Sequence, residues 1–126
     1  FFPELSEYAG ALQDRWEEIL KGDLVDFGFA SLQVFIGDIS NTLTKFNSKV
    51  DCWYLDGFAP SKNPEMWTDY ILELVSLKTK HGGSFSTYTA AGHVRRSLEL
   101  LGFEVIRQKG FSKKRHMIRG TKIAND

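Results

Sequence analysis

Residues 50–57, Val-Asp-Cys-Trp-Tyr-Leu-Asp-Gly, limit the fold more than any other stretch of this chain. The run is nearly continuous in apolar character and too short for a buried helix. It therefore predicts a strand covered on both faces of a parallel sheet, with Cys52 as a small core residue. Parallel strands need crossover helices between them, and the following sequence supplies these. Asn63-Pro64-Glu65 reads as a helix start: an Asn cap, Pro at the first helical position and an acid in the first turn. That helix is expected to bury Trp67, Tyr70, Ile71, Leu74 and Val75. Gly82-Gly83 is expected to break the chain before a third strand over residues 84–89. A second helix follows over 90–102, with Val94, Leu98 and Leu101 inward and Gly102 at its C-terminal cap.

The ends of the chain extend this order. Residues 103–109 and 115–123 read as two strands joined by a short loop, an antiparallel hairpin. Residues 3–20 carry Leu5, Tyr8, Leu12, Trp16, Ile19 and Leu20 at helical spacing, and Gly22 ends that helix. Residues 31–39 alternate, with Leu32, Val34 and Ile36 on one face, as a strand that stops at Gly37-Asp38. The sum is an α/β fold: a three-layer sandwich with right-handed crossovers and a mostly parallel sheet ending in an antiparallel hairpin.

Hydrophobic residues make up 42% and charged residues 25%, the balance of a packed domain rather than a disordered one. No apolar run approaches the roughly 20 residues of a membrane span. The N-terminus lacks a basic flank before a long apolar core, so it does not read as a secretory signal. It also lacks an initiator Met, and the chain is expected to continue upstream. The single cysteine excludes an internal disulfide and fits a reducing compartment.

A net charge of zero conceals an asymmetry. Residues 1–63 hold 5 Lys and Arg against 10 Asp and Glu, whereas residues 64–126 hold 11 against 6. The excess positive charge gathers over residues 107–122, where Arg107, Lys109, Lys113, Lys114, Arg115, Arg119 and Lys122 stand with no acidic residue among them. Such a run is either a solvated edge or a polyanion footprint.

In open α/β sheets, ligands bind beyond the carboxyl ends of the strands. Asp38 and Asp56 each lie where a predicted strand surfaces. Gly37 and Gly57 beside them let a ligand approach the backbone. The competing reading makes Asp38 the cap of the following helix and Asp56 the cap of a turn. The loop after Asp56 is stiffened by Pro60 and Pro64, which suits holding a planar group and a reacting amine at fixed distance. His81, His93 and His116 have no metal-ligand spacing, and no Ser-His-Asp or Cys-His signature is present.

The stretch DCWYLDGFAPSKNPEMW, followed by GGSFSTYTAAGHVRRSLELLGFEVIRQKGFSKKRHM, closely resembles a known family. It is the methyltransferase domain of the bacterial tRNA 5-methylaminomethyl-2-thiouridine biosynthesis bifunctional protein. The resemblance covers about residues 30–120 well and the first helix more loosely. It implies the C-terminal part of a class I, Rossmann-like methyltransferase domain over residues 1–126. The implied reaction uses S-adenosyl-L-methionine to methylate the exocyclic amine of 5-aminomethyl-2-thiouridine at the tRNA wobble position, in the cytoplasm. By the same resemblance Gly37, Asp38, Asp56 and Gly57 contact the cofactor, Asp38 at its adenosine part. Asp56 lies between methyl donor and substrate amine. Phe58, Pro60, Lys62 and Asn63 shape the uridine pocket, and Lys113, Lys114 and Arg115 approach the tRNA backbone. FAD enters only through an oxidoreductase domain, fused or separate, that accompanies many members.

The chain also departs from the family pattern. It contains no Gly-x-Gly-x-Gly, the family's glycine-rich cofactor loop, and His116 stands where an acidic residue is expected after Lys-Arg. Two further readings follow. One is a non-catalytic RNA-contacting or structural fragment, whose strand over 50–55 exposes an apolar edge that invites self-association. The other is a related methyltransferase acting on a small amine.

Overall fold

The computed structural model describes residues 2–113 and 116–123, and they divide into two compact units, residues 1–38 and 39–126. In the first, a 3-10 turn at Pro3–Leu5 leads into helix α1 (Ser6–Asp14) and a short helix α2 (Trp16–Leu20). The single helix expected over residues 3–20 is thus broken at Arg15. The Arg15 side chain bonds Glu18, which raises its own pKa and holds the Glu18 carboxyl below its usual range. The break shifts the helical phase, so the expected apolar stripe does not pack as one. Ile19 is buried, while Leu5, Tyr8, Leu12, Trp16 and Leu20 are exposed. A unit under 40 residues has little core with which to cover such a stripe. The predicted strand over 31–39 shrinks to β2 (Ser31–Leu32), paired antiparallel with β1 (Val25–Asp26). Ile36, expected on its inner face, is exposed.

The second unit carries the sheet. Helix α3 (Ile39–Lys45), strand β3 (Val50–Tyr54) and a 3-10 turn at Pro64–Trp67 are followed by helix α4 (Asp69–Lys78). Strand β4 (Thr79–Thr87), helix α5 (Gly92–Leu100) and strands β5 (Phe103–Lys109) and β6 (His116–Lys122) complete it. The strand order is β3-β4-β6-β5. β3 and β4 are parallel, β6 runs antiparallel to β4, and β5 and β6 form the expected hairpin.

Alternation along these strands separates two faces. Trp53 lies beside Phe85, and Phe85 beside Gly120, on the face that α3, α4 and α5 cover. Trp67, Leu72, Phe85, Val94, Leu98, Phe103 and Ile118 form the main core there, and Leu43, Ile71 and Val75 pack beside Trp53 and Leu55. Lys122 ends β6 on this face and is buried. Its ammonium donates to Ser76 Oγ and to the Leu101 carbonyl at 3.0 Å. The opposite face carries the row Tyr54, Ser86, Arg119 and Ile106. Tyr54 is 82% exposed there, and Cys52, Arg119 and Ile106 are exposed too. Strand β3 is therefore covered on one face, not two, and Cys52 is a surface residue instead of a core one.

Two local expectations change for identifiable reasons. Gly82-Gly83 does not break the strand but bulges it: Val50 pairs with Thr79, yet Cys52 pairs with Ser84. A Cβ at Gly83 would sit 2.8 Å from the Lys80 carbonyl oxygen, so only glycine fits. Asn63 makes no side-chain cap bond, because Pro64–Trp67 forms a separate 3-10 turn. The cap of α4 is Thr68, whose hydroxyl accepts from the Ile71 N–H at 3.3 Å. Ile71 and Val75 face inward as expected, whereas Tyr70 is exposed. Among the described residues no helix is long and apolar enough to cross a membrane.

Candidate functional site

The site is built where β3 gives out. The Leu55 N–H donates to the Ser86 carbonyl at 2.9 Å, extending the parallel pairing one residue past β3. Asp56 therefore emerges beside the end of β4. Its own N–H turns back to the Tyr54 carbonyl at 3.0 Å, and its Oδ1 accepts from the Gly57 N–H at 2.9 Å. Gly57 has φ +155°, a conformation that residues with a Cβ rarely adopt, and a Cβ there would also displace the end of the Met66 side chain.

The loop that follows is fixed from both ends. Trp67, buried in the core, donates its indole Nε1–H to the Phe58 carbonyl at 2.8 Å. The Ala59 carbonyl accepts from the N–H groups of Lys62 at 2.8 Å and Asn63 at 3.0 Å. These bonds leave Phe58 facing solvent, 70% exposed, with Lys62 exposed and Pro60 and Asn63 half-buried. From the β4 side, Thr87 Oγ1 accepts from the Thr89 N–H at 3.3 Å and Thr89 Oγ1 from the Ala91 N–H at 3.2 Å. The Thr-rich strand end thus becomes a hydrogen-bonded lead into α5.

Two depressions meet at Asp56. One of about 200 Å³ is lined by Tyr54, Leu55, Asp56, Ser86, Thr87, Tyr88 and Met117. A second of about 80 Å³ lies toward the loop and is bounded by Gly57, Ala59, Trp67 and Thr89. Leu55, Asp56, Thr87 and Tyr88 belong to both. An acceptor carboxylate standing between two hollows suits a transfer between two ligands.

Of the residues singled out in the sequence, Asp56 and Gly57 lie at these depressions, and Phe58, Pro60, Lys62 and Asn63 form the loop beside them. Lys113 is exposed in the β5–β6 loop, and Lys114 and Arg115 lie outside the described residues. Gly37 and Asp38 belong to the N-terminal unit, where both are exposed and Gly37 has φ +148°. Tyr54, Tyr88 and Met117 escaped the sequence reading. Tyr54 was legible in principle, since it alternates with Trp53 and Leu55 and must face the other way. Met117 comes from a distant strand, and only the β4–β6 pairing brings it near.

Comparison with known proteins bears on the family and the fold. Residues 3–123 match a family described as S-adenosyl-L-methionine-dependent methyltransferase. The crystal structure of MNMC2 from Aquifex aeolicus is similar, with a TM-score of 0.74 and 30% sequence identity over 90% of this chain. The chain spans 36% of the length of that protein. Both findings bear out the resemblance seen in the sequence, and with it a partial class I methyltransferase fold. This chain belongs to the family of S-adenosyl-L-methionine-dependent methyltransferases.

Proposed function

We propose that the protein methylates the exocyclic amine of 5-aminomethyl-2-thiouridine at the wobble position of tRNA, in the cytoplasm. The observation that carries this reading is Asp56, a strand-end carboxylate shared by two depressions and followed by a loop pinned through Trp67. The likeness to MNMC2 supports the choice of a tRNA.

The residues fit one end of the cofactor. A hollow of about 200 Å³ is smaller than the roughly 300–1,000 Å³ of a pocket that encloses a whole ligand. It suits the sulfonium end, with Asp56 and Gly57 beside it and the Tyr54 and Tyr88 rings as cation-attracting walls. Gly37 and Asp38 are assigned to the adenosine part. When bound, S-adenosylmethionine supplies a methyl group carried on a sulfonium sulfur.

An alkylamine like that of Lys, with pKa about 10.4, is neutral in fewer than about one molecule in a thousand near pH 7. Asp56 Oδ1 is engaged by the Gly57 N–H, which leaves Oδ2 to accept an amine N–H and aim the nitrogen lone pair. A nearby carboxylate also favours the ammonium form, so positioning is the first role of Asp56. Taking up the proton that the nitrogen sheds on alkylation is the second. Phe58, Pro60, Lys62 and Asn63 hold the uridine, and Lys113, Lys114 and Arg115 approach the backbone phosphates.

The test is transfer of labelled methyl from S-adenosylmethionine to tRNA carrying 5-aminomethyl-2-thiouridine, followed by nucleoside digestion. Label should co-elute with 5-methylaminomethyl-2-thiouridine. Asp56→Ala should lower turnover more than about tenfold with tRNA binding nearly unchanged. Label in another nucleoside, or in a free small amine only, would refute the substrate. Equal turnover would remove Asp56 from the mechanism.

A further inference from the structure

We propose that the tip of the β5–β6 hairpin is a single-stranded RNA clamp in which Phe111 stacks on an unpaired base a few nucleotides from the target. The inference rests on the tRNA reading above and extends it to a residue outside the site already described. Phe111 is 76% exposed and absent from both core clusters, so packing does not explain it. It sits between buried Gly110 and Ser112, which adopts the left-handed φ of +56°. Around it stand the exposed cations Arg107, Lys109 and Lys113, and residues 105–123 contain no acid. An exposed ring among cations is the pairing that single-stranded nucleic acid recognition uses: stacking on the base, charge on the backbone.

Topology puts this tip at the mouth of the site. β4 runs parallel to β3, so both end on the side where Asp56 emerges. β6 is antiparallel to β4, with Thr87 opposite Ile118, so β6 begins at that same side. Lys109 pairs with His116, so Phe111 lies just past the last pair of the hairpin, at this same end. From β3 to β5 is three strand spacings of about 4.8 Å, or about 14 Å. Even at the stacked rise of about 3.4 Å per nucleotide, about four nucleotides span that distance, so RNA held at the tip can place a base a few positions away at Asp56. Phe58, another exposed aromatic at this end, stands in the Asp56 loop and completes a second platform.

The experiment is anisotropy titration of the protein with two RNAs, a stem-loop of anticodon-arm design and a fully paired duplex of the same length. Phe111→Ala should weaken the stem-loop about 5- to 150-fold, as expected for loss of one stacked base, and change the duplex by less than about twofold. Phe111→Trp should restore binding. Lys109→Ala and Lys113→Ala should each lower the salt slope by about 0.7. Because Phe111 is exposed, Phe111→Ala should melt at the wild-type temperature. Wild-type failure to bind the stem-loop, equal losses on both RNAs, or wild-type affinity in Phe111→Ala would overturn the proposal. So would tighter binding of polyglutamate than of RNA, which would assign the tip to an acidic protein. A stem-loop carrying 5-aminomethyl-2-thiouridine that is bound through Phe111 but never methylated would leave the clamp standing and refute the substrate reading instead.

Discussion

Trp67→Phe separates the loop's geometry from the fold's integrity. The indole lies in the main core beside Leu72 and Phe85, and its Nε1–H holds the Phe58 carbonyl at 2.8 Å, two residues from Asp56. Phenylalanine keeps the ring in the core but cannot donate. The lost bond costs about 0.5–1.5 kcal/mol. Three missing ring atoms, at about 0.8 kcal/mol per carbon-sized group, add about 2 kcal/mol. A domain with about 5–15 kcal/mol of stability survives a total near 3 kcal/mol. The loop does not keep its position, because the Phe58 carbonyl is released to solvent. A displacement of about 1 Å at a reacting group can cost about 100-fold in rate. The assay pairs urea unfolding, followed by circular dichroism, with single-turnover methyl transfer. Trp67→Phe should lose about 3 kcal/mol and at least about tenfold in turnover, the excess appearing in kcat more than in KM. Turnover at the wild-type rate in a destabilised but folded variant would refute the reasoning, since the pinned loop would then not position Asp56.

Two further predictions concern the frame around the site. Lys122→Ala removes a buried ammonium that holds Ser76 of α4 and the Leu101 carbonyl ending α5. It should cost about 2–4 kcal/mol in denaturant unfolding, and Lys122→Met, which keeps an apolar stem of similar length but not the ammonium over the Phe103 ring, should cost less. Gly120→Ala places a Cβ 2.9 Å from the Glu104 carbonyl oxygen and closer still to the Phe85 ring, for a loss of about 1–3 kcal/mol in the same measurement.

Much of this architecture was legible because local chemistry and tertiary packing agree. The hairpin, the inward Val94 and Leu98 of α5, and a carboxylate at a strand end all follow from period, turn residues and apolar runs. Disagreement arose where a residue's neighbours come from far along the chain. Trp53-Tyr54-Leu55 is apolar throughout, yet only Trp53 and Leu55 meet the helices, and the Tyr54 ring faces outward. The helix start at Asn63-Pro64 was displaced because Trp67 must reach both the core and the Phe58 carbonyl, which a 3-10 turn allows. Gly82-Gly83 read as a break, but the strand spans it as a bulge whose need for glycine comes from the Lys80 carbonyl and, at 3.1 Å, the Val50 carbonyl of the adjacent strand. The depressions were illegible for the same reason. Their walls combine β3, β4 and β6, and no spacing in the sequence announces that Tyr88 and Met117 share a hollow with Asp56.

Calorimetric titration tests most directly the proposal that Asp56 faces the sulfonium end of S-adenosylmethionine. S-adenosylmethionine and S-adenosylhomocysteine differ there by a methyl group and a positive charge. At a solvent-exposed site a carboxylate about 4 Å from that charge contributes about 1 kcal/mol, or about fivefold in affinity. Both ligands should bind one-to-one, with Asp56→Asn weakening S-adenosylmethionine about fivefold more than S-adenosylhomocysteine. Equal effects on the two ligands, or no binding of either by the folded protein, would contradict it.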